Sequence, residues 1–230
     1  MGTLNNDIYL FFDLFYTLNI PSHCPGENEY SILGLTRAEW TAYSEAADLY
    51  RPRATGRIRD PETILRSILS VLPFSVPEEQ AQKVLRFRTD RMRRCLCSVP
   101  GDVLSVLACL KSEGKHLILL SNADCIDTCF WDSSPLRPLM DSWVFSWQAG
   151  LMKPDPRIYR LAAEKAGADL TRSAFIGNGG SDELAGAHAA GMHAVLSEVF
   201  DIKPEPLRSE LRRNADALIT EFSQLLNLFL

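Results

Sequence analysis

Ile8-Tyr9-Leu10-Phe11-Phe12 is an uninterrupted apolar run that stops at Asp13. A half-exposed strand alternates apolar and polar residues, so a run of this kind reads as a strand covered on both faces, as in a parallel sheet. Similar short runs recur at Leu117 to Leu120, Trp143 to Phe145, Ala174 to Ile176 and Ala194 to Leu196, and Ala215 to Ile219 reads as a last strand. Helical periodicity separates them at Val103 to Leu110, Arg157 to Ala166 and Glu183 to Ala190, and Phe222 to Leu228 reads as a closing helix. This alternation predicts an α/β fold with a parallel sheet and right-handed crossovers.

The stretch from about residue 20 to about residue 100 has a different character, with no clear buried strand and several helix-start signals. Thr36-Arg37-Ala38-Glu39 is a capping box, followed by Trp40, Tyr43 and Ala47 on one predicted face. Asp60-Pro61-Glu62 is an N-cap with proline at the first helical position. Ser75 to Glu78 reads as another capping box. The expected organisation is an α/β core formed by residues 1–20 and 99–230, with an all-helical insert over 21–98 joined through Pro21 to Glu29 and Ser98 to Gly101. Helical inserts near an active site commonly exclude water from it. The chain carries no internal repeat and no low-complexity segment.

A length of 230 residues suits one such domain with an insert, and 46% hydrophobic with 23% charged residues fits a globular chain rather than a disordered one. The net charge of −5 and the lack of a basic stripe argue against a nucleic-acid partner. One local basic cluster, Arg86 to Arg94, carries Asp90 and apolar residues at helical spacing and reads either as a solvated helix face or as a binding surface. No apolar run reaches the roughly 18 residues of a membrane span, and no cationic segment precedes the short N-terminal run, so a cytoplasmic protein with no membrane partner is expected. Six cysteines (Cys24, Cys95, Cys97, Cys109, Cys125, Cys129) fit free thiols. Cys95, Cys97, Cys125 and Cys129 lack the CxxC spacing and nearby histidine of a zinc site.

Open α/β sheets place their sites at the carboxyl ends of the strands. The first strand ends at Asp13, followed by Leu14-Phe15-Tyr16-Thr17-Leu18, and the second at Ser121-Asn122. Lys153 follows the third in Gly150-Leu-Met-Lys-Pro-Asp-Pro156, and the fourth ends at Gly177-Asn178-Gly-Gly-Ser-Asp-Glu183. Taken singly, an aspartate after a strand is usually a turn or cap residue and a lysine is usually solvated. Together the strand ends offer a carboxylate, a hydroxyl with an amide, an ammonium, and an amide with a carboxylate.

In this order, Asp13-Leu-Phe-Tyr-Thr17-Leu18, Ser121-Asn122, Lys153-Pro-Asp-Pro156 and Gly177 through Met192 resemble the four ordered motifs of the haloacid dehalogenase superfamily, over roughly 7–20 and 100–225. The insert resembles that superfamily's cap in position more than in sequence. The resemblance implies a Rossmann-like core in which Asp13 attacks the substrate and forms a covalent intermediate that water hydrolyses. It further implies that Thr17 and Ser121 hydrogen-bond the nucleophile or the transferred group, and that Lys153 holds the negative charge in place. The Gly177 to Gly180 turn then lets the backbone approach closely, with Ser181 capping the next helix.

Two positions depart from the superfamily's phosphatases. Those enzymes carry a second aspartate two residues after the nucleophile, which protonates the leaving oxygen; here that position is Phe15, which can neither donate nor accept a proton. They also carry an acidic magnesium ligand where this chain has Asn178. Glu183 matches the second acidic position of that motif. The dehalogenase branch has an aromatic residue at the first position and an uncharged polar one at the second, works without metal, and pairs a lysine and a tyrosine at the spacing of Lys153 and Tyr159. Tyr159 also reads as a packing residue on the first turn of a helix. The branch's usual cap arginine is missing from Trp40-Thr-Ala-Tyr-Ser-Glu45, but Arg51, Arg53 and Arg57 follow, either solvated in a loop or with one entering the site. Gly180 replaces that branch's asparagine.

The expected catalytic set is therefore Asp13, Thr17, Ser121, Asn122, Lys153, Tyr159, Asn178 and Glu183, with Phe15, Tyr16, Tyr43 and Arg53 as substrate contacts. Trp40, Tyr50 and Trp131 are further aromatic candidates for a pocket wall. No cofactor is expected; in the alternative, Asp13, the Phe15 backbone and Asn178 hold Mg2+. The resemblance implies halide displacement from a small halogenated carboxylic acid. The alternatives are a magnesium-dependent phosphatase-like enzyme with weak activity and a catalytically silent binding protein. The partner is a small molecule, with a homodimer as one option for the assembly.

Overall fold

The computed structural model describes residues 8–22 and 26–230; Cys24 lies outside them. Six strands form one parallel sheet: β1 (Tyr9–Phe12), β2 (His116–Ser121), β3 (Ser142–Phe145), β4 (Ser173–Gly177), β5 (His193–Ser197) and β6 (Ala217–Ile219), in the order β3-β2-β1-β4-β5-β6. In register, Phe12 faces Leu119 on one side and Ile176 on the other. The α/β reading holds, and every apolar run named in the sequence overlaps a strand.

Side chains alternate across each strand, so the central strand feeds two cores. Leu10 and Phe12 pack with Leu107, Leu119, Phe222 and Leu225, under α5 (Gly101–Ser112) and α10 (Gln224–Phe229). Phe11 packs on the other face with Ile118, Ile158, Phe175 and Leu184, under α7 (Pro156–Ala166) and α8 (Glu183–Ala190). A single turn, α6 (Ser146–Ala149), follows β3, and α9 (Leu207–Asn214) precedes β6.

Between β1 and α5 the described residues form no strand of the sheet; their regular elements are a short 3-10 turn, then α1 (Arg37–Ser44), α2 (Ala47–Ala54), α3 (Pro61–Leu69) and α4 (Glu78–Cys97). They enclose their own apolar cluster, in which Trp40, Ile64, Ile68 and Val84 are buried, and Tyr43 packs against it. The Thr36 capping box forms, with Glu39 N–H donating to the Thr36 hydroxyl and the Thr36 N–H to the Glu39 carboxylate. Asp60 caps α3, with Pro61 in its first turn. Three local expectations fail. Ser75 caps nothing, because α4 begins after Pro77, and a proline disfavours helical backbone at the residue before it. The face expected to run from Trp40 to Ala47 is cut, because α1 ends at Ser44 and Ala47 opens a new helix with its side chain exposed. Arg51 and Arg53 lie in α2 rather than in a loop. Among the described residues no single helix is long and apolar enough to cross a membrane.

Candidate active site

The strand order reverses at β1, because β2 lies on one side of it and β4 on the other. The crevice outside the carboxyl ends of such neighbouring strands is where open α/β sheets bind ligands. Asp13 leaves β1 at this point, and its N–H still donates to the Ile176 carbonyl at 2.9 Å. The next turn bends back sharply: Tyr16 adopts φ 62 and its N–H donates to the Asn19 carbonyl at 2.6 Å. A tyrosine in the left-handed region carries backbone strain, which persists where the surroundings over-determine the fold. The bend leaves Phe15 and Tyr16 lining the same cavity as Asp13.

Lys153 is the electrostatic centre. Its Nζ donates to Asp13 Oδ1 at 2.6 Å and to Glu183 Oε2 at 2.6 Å, and all three residues are buried. Burial alone would push the ammonium's pKa down, but Asp13 and Glu183 outweigh it and hold the pKa above its ordinary value. Burial pushes the Glu183 carboxyl up, Lys153 pulls it back, Asp13 pushes it up again, and the outcome is about 7. Glu183 Oε1 accepts the Gly179 N–H at 3.0 Å. Only glycine fits at Gly177, where an added Cβ would collide with that carboxylate. The Asp13 Oδ2 has a single long contact, 3.5 Å to the Thr17 hydroxyl, so it is the freer oxygen of the pair.

The other expected residues divide into those at the cavity and those behind it. Asn122 and Asn178 line it with Asp13, Lys153 and Glu183. The Asn122 amide exchanges two hydrogen bonds with the Lys153 backbone, donating to its carbonyl at 3.0 Å and accepting its N–H at 2.8 Å, which fixes the loop that carries the ammonium. Ser121 is fully buried and its hydroxyl donates to the Asn122 carbonyl at 3.4 Å rather than to Asp13. Tyr159 is fully buried against Phe175, and its hydroxyl donates to the Glu183 backbone carbonyl at 2.7 Å, so the structure places it as a support for the first turn of α8. Burial pushes its phenol pKa up, which leaves it neutral. Ser181 does not cap α8: it sits at φ 54 within a 3-10 turn, and the helix starts at Glu183.

The insert forms one wall of the cavity, an open cleft of about 390 Å³. Trp40, Ser44, Glu45, Tyr50, Arg88 and Met92 form part of its wall. Two expected substrate contacts, Tyr43 and Arg53, and one expected wall aromatic, Trp131, are elsewhere. Tyr43 belongs to the insert's own core, and Trp131 is buried in the sheet core. Arg53 is buried behind the wall, where its Nε donates to Asp124 at 2.9 Å; a desolvated guanidinium needs such a partner more than a ligand. The basic cluster splits. Arg86 and Arg93 are exposed, whereas Arg88 and Arg91 turn inward, pairing with Asp124 and Asp127 and with Glu29 respectively, and both reach the cavity. The signal for Arg88 was legible: it sits at helical spacing on the stripe Ala81, Val84, Met92 and Cys95 that α4 buries.

Magnesium favours carboxylate oxygens in near-octahedral geometry. Of the set that would hold it, Asp13 is tied to Lys153, the Asn178 Oδ1 accepts the Gly180 N–H at 3.2 Å, and the Asn178 Nδ2 donates to Asp201 at 2.8 Å. Lys203 pairs with the same Asp201 carboxylate. Among the described residues no group of three or more His, Cys, Asp or Glu side chains is disposed to hold a metal ion. One carboxylate whose charge is already paired with Lys153, one neutral backbone carbonyl at Phe15 and one amide supply too little charge to fit a resident magnesium ion. Calorimetric titration of the wild type with millimolar magnesium is expected to show no binding, and Asn178→Asp is expected to introduce it; binding by the wild type would overturn this reading. The described cysteines are free thiols.

An aspartate at the switch point of a parallel sheet, held by a buried lysine and facing a cavity roofed by helices, defines an α/β enzyme site built around a carboxylate. The chain belongs to the haloacid dehalogenase-like hydrolase family, which it matches over residues 39–191. It is 32% identical over 124 residues to a phosphoglycolate phosphatase of Caulobacter vibrioides, covering 54% of this chain and 50% of that protein. It is 29% identical over 118 residues to (S)-2-haloacid dehalogenase 4A of Burkholderia cepacia, covering 51% of each. The chain thus spans about half the length of these curated relatives. Its fold is similar to that of a Bacteroides thetaiotaomicron enzyme of the family solved with magnesium and inorganic phosphate, at a TM-score of 0.63 and 18% identity, covering 87% of this chain and 98% of that one.

Proposed function

We propose that the chain hydrolyses a carbon–halogen bond in a small halogenated carboxylic acid, with Asp13 as nucleophile and no metal. The observation that carries this reading is Phe15, which lines the cavity two residues after Asp13. An alkoxide-like leaving group needs a proton, and a positioned acid typically supplies ~10²–10⁴-fold in rate. Halide leaves as a stable anion and needs none, so an aromatic ring there costs a dehalogenase nothing and a phosphatase a great deal. The poor magnesium set points the same way. A cavity of about 390 Å³ suits a small molecule.

The reaction follows from the geometry. Asp13 Oδ2, the freer oxygen, attacks the carbon that carries the halogen; a C–O bond forms, the C–halogen bond breaks, and halide leaves with the bonding pair. Lys153 keeps the carboxylate ionised and oriented before attack. Water then attacks the carbonyl carbon of the resulting aspartyl ester. Glu183, its pKa near neutrality, accepts the proton in its ionised fraction. Glu183 returns that proton to the leaving alkoxide oxygen as the hydroxy acid departs, and the new Asp13 carboxyl loses its own proton to solvent, which restores the carboxylate.

The second reading, a magnesium-dependent phosphatase, is favoured by the phosphatase relative. One comparison separates the readings: fluoroacetate, chloroacetate, 2-halopropionates and an aryl phosphate, each with magnesium and with a chelator. Halide release that survives the chelator is the expected result. Phosphate release only with magnesium would replace this reading with the second. Silence on every substrate would leave the chain as a binding protein.

A further inference from the structure

Behind the insert side of the cavity lies a buried polar network that the reaction above does not use. Its centre is Asp124, in the loop that follows β2, with no exposed surface. Asp124 Oδ2 accepts Arg53 Nε at 2.9 Å and Arg88 Nη2 at 2.6 Å. Asp124 Oδ1 accepts the backbone N–H groups of Ile126 at 2.8 Å and Asp127 at 3.1 Å, so the carboxylate is fixed by its own loop. Asp127 returns the favour through Oδ2, which accepts the Asp124 N–H at 3.0 Å, while its Oδ1 accepts Arg88 Nη2 at 3.0 Å.

The two arginines come from different helices of the insert, α2 and α4. Arg53 also reaches a third: its Nη1 donates to the carbonyl of Ser44, the last residue of α1, at 2.6 Å, and its Nη2 to the Glu45 carboxylate at 2.9 Å. All three nitrogens of Arg53 are therefore partnered, whereas the Arg88 Nε is buried with none. Arg53 is the better-satisfied anchor.

Taking paired charges out of water costs about as much as the pair returns, so such a network adds little net stability compared with apolar packing. It discriminates strongly, because any displacement of the insert that parts Arg53 from Asp124 strands a charge in a dry interior. What it fixes matters for the site. Ser44, Glu45, Arg88 and Asp127 line the cavity. On the core side, Asp124 lies two residues after Asn122, which clamps the Lys153 backbone, and Lys153 holds Asp13.

We propose that Arg53 and Asp124 are positioning residues: their pair, seated away from the reacting atoms, sets the insert wall against Asp13, and substrate affinity depends on it. The activity arm of the test rests on the dehalogenase reading; the hydrogen-exchange arm does not.

The variants are Arg53→Met, Asp124→Leu and the double substitution, measured for turnover of 2-chloropropionate and for amide exchange over residues 44–46. Arg53→Met is expected to raise KM about tenfold while kcat stays within about threefold, the signature of lost binding in ground and transition state alike. Exchange at residues 44–46 is expected to quicken while the β1 and β4 amides keep their protection. The double variant is expected to be no worse than Asp124→Leu alone, because the two residues act as one unit. If Asp124→Leu does not fold, Arg53→Met decides, with Arg53→Lys expected to recover part of the KM. Unchanged KM and unchanged exchange in Arg53→Met would overturn the proposal, as would single effects that add in the double variant. If the wild type releases no halide, the dehalogenase reading fails, and the exchange arm alone decides the positioning role.

Discussion

Asp13→Asn is expected to abolish halide release, with a loss on the order of 10⁴-fold or more, as for the removal of a nucleophile that acts as part of a unit. The substitution keeps the shape of the side chain and the Thr17 and backbone contacts around it, but an amide oxygen in place of a carboxylate is too weak a nucleophile to displace halide. Stability should change little by comparison, because Lys153 keeps Glu183 as a partner 2.6 Å away. The measurement is halide release alongside thermal unfolding. A folded Asp13→Asn protein that still turns over would remove Asp13 from the chemistry.

Lys153→Met is expected to cost both rate and stability. The ammonium is the cation shared by two buried carboxylates, and removing it leaves Asp13 and Glu183 facing one another in a site of low dielectric. Breaking a buried pair from one side typically costs about 3–5 kcal/mol, and losing an electrostatic group of this kind costs on the order of 10²–10³-fold in rate. The pH dependence follows from the shifts. In the wild type, Glu183 has a folded-state pKa of about 7 against an ordinary 4.5. Its proton favours the folded state at low pH, and that contribution fades as pH rises from about 4.5 through about 7. Lys153, raised above its ordinary 10.5, favours the folded state below that value and loses this contribution only at higher pH. Without the lysine, the Glu183 carboxyl is held protonated more strongly. The melting temperature of Lys153→Met should therefore approach the wild type in acid and fall away from it as pH rises through neutrality. A constant difference across that range would show that the three groups are not coupled.

Much of the fold was legible because buried strands and amphipathic helices write themselves into composition. Ile8 to Phe12 and the later apolar runs mark the sheet, and Thr36 and Asp60 mark helix starts through the bonds their side chains make. What escaped notice lacks such patterns. The α9 helix buries only Leu211, so it has no apolar stripe to read, and α2 carries Pro52 inside it, which reads as a break. The site was half legible. Asp13 and Asn178 directly follow strands, and Lys153 and Glu183 lie in the segments beyond β3 and β4, where position alone suggests function. The insert wall follows from tertiary packing: Arg53 looks like a solvated charge until Asp124, far away in sequence, pairs with it, and Arg88 shows its burial by its place on the α4 stripe but not its partner. Tyr43 looks like a pocket aromatic until the insert closes its own core around it.

The central claim is a covalent bond between Asp13 and a substrate carbon, and its most direct test is a single turnover of 2-chloropropionate by excess protein in heavy-oxygen water. Water attacks the aspartyl carbonyl carbon on this account, so the heavy oxygen should appear in the peptide that contains Asp13, while the hydroxyl of the lactate released carries the ordinary oxygen that Asp13 donated. Heavy oxygen in the product with none in the Asp13 peptide would mean that water attacks the substrate directly, and would contradict the account.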